Sequence, residues 1–281
     1  MRSDRVIRAV LFATAMSSIA ALLIITFFIF RTGIPAILRI GPGNFMLGTE
    51  WAPTSGQFGI LSMIAGSLSV TFGALLLGVP LGLAVAILTV EFAPPAAMRI
   101  LRPAIQLLAG IPSVIYGFIG LLVLVPLIRQ VFGGPGLSIL AGSLVLGIMI
   151  LPNVVSISED AIRAVPRSYR EGALALGATR WQTIWRVVLP AARSGIIASI
   201  VLAMGRAVGE TMAVIMVVGN ALEMPNSILD ATTTLTSNIG LEMGYASGQH
   251  REALFGIGVV LFVFIMSLNS LARWLTRSRT A

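Results

Sequence analysis

Six apolar runs, each long enough to cross a lipid bilayer, constrain the fold of this chain more than any other feature. A bilayer core about 30 Å thick requires roughly 20 apolar residues of helix. The first run ends at Arg31 and is too long for the apolar part of a signal peptide, so we expect a retained helix. With 57% hydrophobic and 11% charged residues, the composition agrees with a single all-α integral membrane domain over residues 1–281. The runs occupy residues 9–30, 61–90, 103–127, 138–157, 194–219 and 254–275.

The arginines divide unevenly between the two ends of these runs. If the N-terminus lies inside, the cytoplasmic side receives Arg2, Arg5, Arg8, Arg99, Arg102, Arg163, Arg167, Arg170, Arg180, Arg186, Arg193, Arg273, Arg277 and Arg279. The outer side then receives only Arg31, Arg39, Arg129 and Arg251, while Arg206 lies within a run. Because basic residues concentrate in cytoplasmic loops, we expect a cell-membrane protein with both termini on the cytoplasmic side. Residues 158–193 then form the long cytoplasmic loop, called the inner loop below.

The residue types that the chain lacks exclude several classes of function. All 19 basic residues are arginines, so the lysine of a P-loop is missing and any ATP-driven work would need a partner. With no cysteine, disulfides and thiolate metal sites are excluded. His250 lies in the polar stretch SGQHRE, where we expect a solvated residue rather than a ligand. The net charge of +8 comes from arginines spread over several loops, which disfavours nucleic-acid binding.

Prolines and closely spaced glycines interrupt the apolar runs. Backbone groups that a proline frees in lipid must be satisfied by neighbouring helices or a wet cavity, so we expect a packed bundle with kinks. The prolines are Pro80, Pro112 and Pro152. Two glycine pairs are predicted to let helices approach closely, and they are Gly78 with Gly82 and Gly205 with Gly209. Polar residues beside the breaks are candidates for lining a pathway, with ordinary packing as the alternative, and they are Ser113, Tyr116 and Asn153.

The long inner loop has a helix–turn–helix pattern. Pro166 suits the first turn of a helix, where its missing N–H has no intrahelical partner, and Gly177 can end that helix in the left-handed conformation. Thr179 and Gln182 have the spacing of a capping box that opens a second short helix, which Pro190 is predicted to end. The hairpin is apolar on one side and arginine-rich on the other, so its pattern alone also fits an amphipathic hairpin lying on anionic lipid.

Two charges, Arg206 and Glu210, lie in the fifth apolar run within GRAVGETMAV (205–214). A lone arginine at the bilayer centre costs at least roughly 2.5–3.5 kcal/mol, so it should face the bundle interior or water. Glu210 follows four residues later, which in an uninterrupted helix places both charges on one face as an ion pair. The pair either fixes helix register, or lines a path where the guanidinium binds an oxyanion, or belongs to a proton relay. The other runs offer no convincing relay groups.

A further pattern in the hairpin resembles the EAA signature of ABC importer permeases, and its matching residues are Glu171, Ala173, Gly177, Leu189 and Pro190. That signature reads glutamate-alanine-alanine, three residues, glycine, nine residues, then isoleucine-x-leucine-proline. Here Gly172 replaces the second alanine and Val187 replaces the isoleucine. The resemblance implies that the hairpin is a coupling helix that fits into a groove on an ATPase subunit.

Longer stretches resemble the PstC family of permease subunits from phosphate importers, and they are GTEWAPTSGQFGIL (48–61), GIPSVIYGFIGLLVLVPL (110–127) and GRAVGETMAVIMVVGN (205–220). The resemblance implies a type I ABC importer permease fold. It also implies four kinds of partner: a homologous PstA-like permease, two PstB-like ATPase subunits, an extracytoplasmic PstS-like phosphate-binding protein, and membrane lipid. Arg206 and Glu210 would be the charged pair associated with phosphate passage.

These patterns together predict a permease subunit for inorganic phosphate that is not an enzyme and needs no cofactor. It would form half of a translocation pathway and couple to a separate ATPase through residues 171–190. One arginine does not distinguish phosphate from another oxyanion such as molybdate or sulfate, so those substrates stay open. A rival from another class is an ATP-independent anion carrier, which would have no reason to keep the hairpin.

Overall fold

The computed structural model describes the backbone of residues 2–277 and the side chains of residues 7–8 and 10–270. Arg279, counted above with the inner arginines, lies outside the described residues. Within them, six helices are long and apolar enough to cross a membrane, which confirms the number of runs. These spans are Val10–Ile40, Leu61–Phe92, Ser113–Phe132, Ile139–Arg163, Arg180–Gly209 and Gly248–Ser270.

The elements of the described chain are mostly helical, with one small β-hairpin near the first span. The helices are α1 (Arg2–Ile40), α2 (Pro42–Leu47), α3 (Leu61–Ile87), α4 (Pro95–Gly110), α5 (Ser113–Ile119), α6 (Val125–Phe132), α7 (Ile139–Arg163), α8 (Arg167–Ala175), α9 (Arg180–Thr183), α10 (Leu189–Gly209), α11 (Met212–Val217), α12 (Leu235–Glu242) and α13 (Gly248–Arg277). The strands are β1 (Trp51–Ala52) and β2 (Gln57–Phe58), which pair antiparallel. Wide π-helical turns occupy Leu88–Phe92, Gly120–Leu124 and Ile184–Val188, and a 3-10 turn occupies Pro53–Ser55.

Helix α7 is the centre of the bundle, and glycines let α3 lie directly against it. About two thirds of its most apolar window (67%) is buried, against 28% or less for the other spans. A Cβ atom built at Gly78 would lie 2.8 Å from the backbone oxygen of Gly147, and one at Gly82 would lie 2.7 Å from Val154. These distances confirm that Gly78 and Gly82 serve close helix approach.

The three prolines predicted to kink helices behave differently. Pro80 and Pro152 lie inside α3 and α7, which continue through them. Pro112 does separate two helices, because a residue that precedes proline is pushed towards extended backbone and Ile111 accordingly has a ψ of 126°. The run 103–127 is therefore not one helix: α4 ends at Gly110, and the membrane span begins only after Pro112.

Helix α1 extends to Ile40, beyond the end predicted at residue 30, and it passes through Pro35 without stopping. Packing against α13 explains the extra length. Phe28 makes an edge-to-face contact with Phe255 at 5.6 Å between ring centroids. Gly33 then brings the two backbones together, since a Cβ there would lie 2.6 Å from the Phe255 carbonyl oxygen.

An apolar cluster holds the β-hairpin against the start of α13. Trp51 lies opposite Phe58 in the hairpin, and the two rings are 5.5 Å apart. The indole Nε1 of Trp51 donates a 2.9 Å hydrogen bond to Glu242, and Nε2 of His250 lies 2.6 Å from the same carboxylate oxygen. The His250 side chain is only 17% exposed, so the prediction of a solvated loop residue is wrong. Because α13 begins at Gly248, His250 falls in its first turn and packs into the cluster.

We expect Gly78→Val to destabilise the bundle because the new side chain meets a backbone oxygen that cannot move aside. Overpacking of this kind costs typically about 1–3 kcal/mol. Thermal unfolding of the purified protein in detergent measures the effect, and the midpoint should fall. Gly110→Ala is the matched control, since nothing lies within 4 Å of a Cβ built there. Equal midpoints for the two variants would contradict the tight α3–α7 interface.

Candidate functional site

The helix–turn–helix predicted for the inner loop is present. Helix α8 is followed by Gly177 with a φ of +83°, the left-handed conformation expected of a helix-ending glycine. The hydroxyl of Thr179 accepts the backbone N–H of Gln182 at 3.2 Å, and the Gln182 side chain accepts the backbone N–H of Thr179 at 2.9 Å. Both halves of the capping box are formed, so the turn chemistry that the sequence predicted is confirmed.

The hairpin divides into an exposed tip and a buried base. Among the motif residues, Glu171, Gly177 and Pro190 are exposed, Ala173 is half-buried and Leu189 is buried. The tip also presents large apolar side chains, with Leu176 91% exposed and the rings of Trp181 and Trp185 packed edge to face. At the base, Leu189 packs with Ile162 and Val188. An exposed apolar patch rimmed by arginines and one glutamate is typical of a protein interaction surface.

Pro190 does not end the second helix, contrary to the sequence prediction. The wide turn Ile184–Val188 precedes it, and the backbone N–H of Leu189 bonds to the carbonyl oxygen of Ile184, five residues back. The extra residue in this π turn changes the backbone register just before the proline, whose ring would otherwise crowd the preceding turn. The span therefore continues from Arg180 to Gly209.

Arg206 lies in the last turn of α10 on a face that the described part of the chain leaves open. Its side chain is exposed, and no hydrogen bond or ion pair to it is found among the described residues. Nothing lies within 4 Å of a Cβ built at Gly205 or Gly209, so the predicted packing role of this glycine pair is wrong within the single chain.

Glu210 does not pair with Arg206 in the described structure. Helix α10 ends at Gly209, and Glu210 takes extended backbone with a ψ of 131°. Its carboxylate oxygen accepts the backbone N–H of Ala213 at 3.2 Å, in the first turn of α11. The prediction of one continuous helix over 194–219, with both charges on the same face, is therefore wrong. The sequence signal for the break is the glycine directly before the glutamate.

The break places each charge at the helix end that suits it. A helix carries partial negative charge at its C-terminus and partial positive charge at its N-terminus, and a matching side chain there gains about 0.3–1 kcal/mol. Arg206 lies at the C-terminal end of α10, and Glu210 lies at the start of α11. Helix ends therefore compensate the two charges separately, which leaves the guanidinium's N–H donors available for an anion.

A polar segment that sequence analysis did not assign reaches into the bundle beside Glu210. Residues 232–238, TTTLTSN, are all buried, although they belong to the loop between the last two spans. The hydroxyl of Thr236 donates a 2.7 Å hydrogen bond to the backbone oxygen of Glu210. Thr234 joins it around a cavity too narrow for a water molecule, with Ser67 and Thr71 from α3. The only sequence signal was the run of hydroxyl side chains in a loop.

The three further candidates for lining a pathway lie in different surroundings. Tyr116 is buried, and its hydroxyl donates to the backbone oxygen of Leu108 at 2.7 Å, so it braces α5 against the end of α4 across the Pro112 break. Its side chain also lies near the charge of Arg206. Ser113 begins α5 and Asn153 lies in α7, and both are half-buried. Of the three, Tyr116 is the one that the structure connects to Arg206.

Comparisons with known proteins point to membrane transport. Residues 78–280 match the family described as "Binding-protein-dependent transport system inner membrane component". The chain is 44% identical to the probable ABC transporter permease protein YqgH of Bacillus subtilis, over 97% of this chain and 90% of that one. It is 36% identical to the phosphate transport system permease protein PstC of Pasteurella multocida, over 83% of this chain and 79% of the relative.

Solved structures of ABC transporters share the fold. The inward-facing MetNI methionine transporter matches with a TM-score of 0.63 at 21% identity, over 83% of this chain and 100% of the other. A bacterial alginate ABC transporter, in complex with an alginate-bound periplasmic protein, matches with a TM-score of 0.65 at 19% identity, over 95% of both chains. The type I importer permease fold predicted from the sequence is confirmed.

We expect Glu210→Ala to destabilise the broken helix, because the backbone N–H of Ala213 loses its acceptor. Loss of such a cap costs about 0.5–2 kcal/mol. Glu210→Gln is the matched variant, since its amide oxygen can still accept that N–H. Thermal unfolding should therefore separate the two, with only the alanine variant melting earlier. Equal losses in both would show that the charge, rather than the cap, holds this turn.

Proposed function

Because the chain belongs to the family of binding-protein-dependent transport system inner membrane components, we propose that it is the permease subunit of an ATP-binding-cassette importer for inorganic phosphate. Relatives 36–38% identical over most of the chain are named phosphate transport permeases. The protein is a multi-pass inner membrane protein. Its relatives are transport permeases rather than enzymes.

The observation that carries the proposal is the open guanidinium of Arg206. A planar fork of donors binds tetrahedral oxyanions through parallel hydrogen bonds, and this fork has no partner of its own among the described side chains. The exposed α10 face would be covered by a second permease subunit, so that Arg206 would lie between the two subunits, on the path. Ser113, Tyr116 and Asn153 are further candidates for lining it.

Glu210 would act on the same path in a different way from Arg206. Its backbone and carboxylate tie α11 and the buried segment 232–238 to the break in the helix. The narrow cavity beside it is closed in this conformation. Passage of phosphate would then require these hydroxyl side chains to separate, which makes Glu210 a hinge beside the anion site as well as a counter-charge.

A permease of this family works with an ATPase and with a substrate-binding protein. We propose PstB-like ATPase subunits on the hairpin tip, a PstA-like permease on the open face and a PstS-like protein outside. The N-terminus and C-terminus would lie inside, because this orientation puts the arginine-rich hairpin in the cytoplasm. Glu171, Ala173 and Gly177 would then meet the ATPase, while Leu189 and Pro190 lie where the hairpin joins α10.

Replacing Arg206 tests the substrate site directly. We expect Arg206→Gln to abolish phosphate uptake by the reconstituted importer while the subunits still assemble, since the exposed side chain stabilises no contact within this chain. Arg206→Lys keeps the charge without the planar fork and should retain part of the uptake. Uptake of labelled phosphate into proteoliposomes, with molybdate and sulfate as competitors, is the measurement. Normal uptake by the glutamine variant would refute the assignment.

Replacing Gly177 tests the coupling hairpin. A β-branched residue resists positive φ, at a cost of order 1–3 kcal/mol, so Gly177→Val should distort the turn and uncouple ATP hydrolysis from uptake. Gly172→Ala is the control, because that glycine lies in the helical part of α8 with open space around it. Phosphate-stimulated ATPase activity should fall in the valine variant alone. Unchanged stimulation there would contradict the coupling role.

A further inference from the structure

Helix α8, the first arm of the hairpin, makes its side-chain hydrogen bonds and ion pair to neighbouring elements through one residue. None of its nine residues is buried. Within this helix, all of which the structure describes, Arg170 alone has a side chain that forms hydrogen bonds or an ion pair. The second arm differs, because it runs without interruption into α10. Besides the short link of residues 164–166 and the contact of α8 with the turn Ile184–Val188, Arg170 therefore provides the polar connection between α8 and the membrane helices.

The guanidinium of Arg170 bridges the inner ends of α3 and α7. Its Nη1 donates to the carbonyl oxygen of Val165 at 2.7 Å, and its Nη2 donates to that of Ile162 at 2.9 Å. Nε and Nη2 both donate to a carboxylate oxygen of Glu91, at 3.2 Å and 3.0 Å. We call these four bonds the Arg170 clamp.

The clamp adds donors where α7 ends. The carbonyls at the end of a helix carry partial negative charge; Ile162 lies in the last turn of α7, where its oxygen also accepts the backbone N–H of Val165 at 3.4 Å, and Val165 follows the helix. Glu91 belongs to the wide turn that closes α3. One cation thus satisfies the end of one membrane helix and neutralises a carboxylate at the end of the other.

Burial distinguishes this clamp from the other ion pairs on the same side of the protein. Arg102 and Arg163 both contact Glu159, but their side chains are 51% and 43% exposed. The Arg170 and Glu91 side chains are 20% and 15% exposed. Solvent and salt screen exposed ion pairs strongly and shielded pairs much less. The Arg170–Glu91 pair is therefore weakened less by screening than the pairs that Arg102 and Arg163 form.

We propose, on the basis of the proposed function, that Arg170 is a positioning residue that carries movement of the ATPase from α8 into α3 and α7. Gly78 and Gly82 let these two helices pack closely against each other. We therefore expect α3 and α7 to move together when α8 moves. The second arm carries the same movement into α10 and Arg206. Without the clamp, α3 would lose its direct bond to α8, and only the link of residues 164–166 would carry the movement of α8 to α7.

The test is the number of phosphate ions taken up per ATP hydrolysed by the complete importer in proteoliposomes. For Arg170→Gln we expect this ratio to fall about fivefold or more, the lower end of typical coupling effects, with ATP hydrolysis retained. Arg170→Lys keeps the charge but cannot make all four bonds, and its ratio should lie between those of the glutamine variant and the wild type.

Arg99→Gln is the matched control, since Arg99 is exposed in α4 and no bond to it is found in the described part of the chain. Its ratio should equal that of the wild type. If Arg170 only stabilised the fold, uptake and hydrolysis would fall together and the ratio would not change. That outcome, or an unchanged ratio with full activity, overturns the proposal.

A chemical link provides a second readout. The chain has no cysteine, so Glu91→Cys with Arg170→Cys introduces a unique thiol pair in this subunit. A bis-methanethiosulfonate reagent of about the length of an arginine side chain should restore the lost ratio, and dithiothreitol should abolish it again. Cross-linking without recovery would contradict the clamp. Wild-type importer that takes up another oxyanion instead would refute the phosphate proposal, and the same ratio is then measured with that anion.

Discussion

The break between α10 and α11 is the feature on which the chemistry of this protein depends. A continuous helix would bring Arg206 and Glu210 onto one face, where the two charges would neutralise each other. Extended backbone at Glu210 instead places each charge at the helix end whose dipole favours it. The guanidinium is thereby stabilised while its N–H donors stay free of a carboxylate partner among the described residues. Irregular backbone within a membrane is tolerated where protein or a cavity satisfies its groups, and Thr236 provides that here.

The rest of the bundle packs around this break but leaves the face of α10 that carries Arg206 exposed. Helix α7 is covered on several sides, and glycines seat α3 against it. The buried segment 232–238 closes the space beside Glu210. By contrast, no element of the described residues covers the face of α10 that carries Arg206. An exposed Arg206 far from the ends of its span agrees with the proposed second permease subunit on this face.

Contacts between residues close in the sequence could be predicted from it, whereas contacts between distant residues could not. Gly177, Thr179 and Gln182 interact over a few residues, so their spacing alone predicted the turn and the capping box. Apolar length likewise predicted six spans. The prediction for His250 was wrong because the ring of Trp51, which it contacts, comes from a distant part of the chain, and Glu242 reaches it only because α13 begins at Gly248.

Interruptions of helices were the other weakness of the sequence analysis. We expected the helix to end at Pro190, but the π turn before this proline lets the helix continue through it. Before Glu210 the only signal was Gly209, a residue that helices in membranes often contain, yet the helix ends there. Both outcomes are decided by neighbouring backbone and packing, which apolar periodicity does not encode.

The uninterrupted span from Arg180 to Gly209 also acts as a lever. Thirty residues of helix form a rod about 45 Å long, with the hairpin at one end and Arg206, the proposed anion site, at the other. A tilt of a few degrees imposed by the nucleotide-driven subunits becomes a displacement of several ångström at the guanidinium. Geometry alone would thus convert a small rocking motion on the inner surface into the opening or closing of a binding position deep in the membrane.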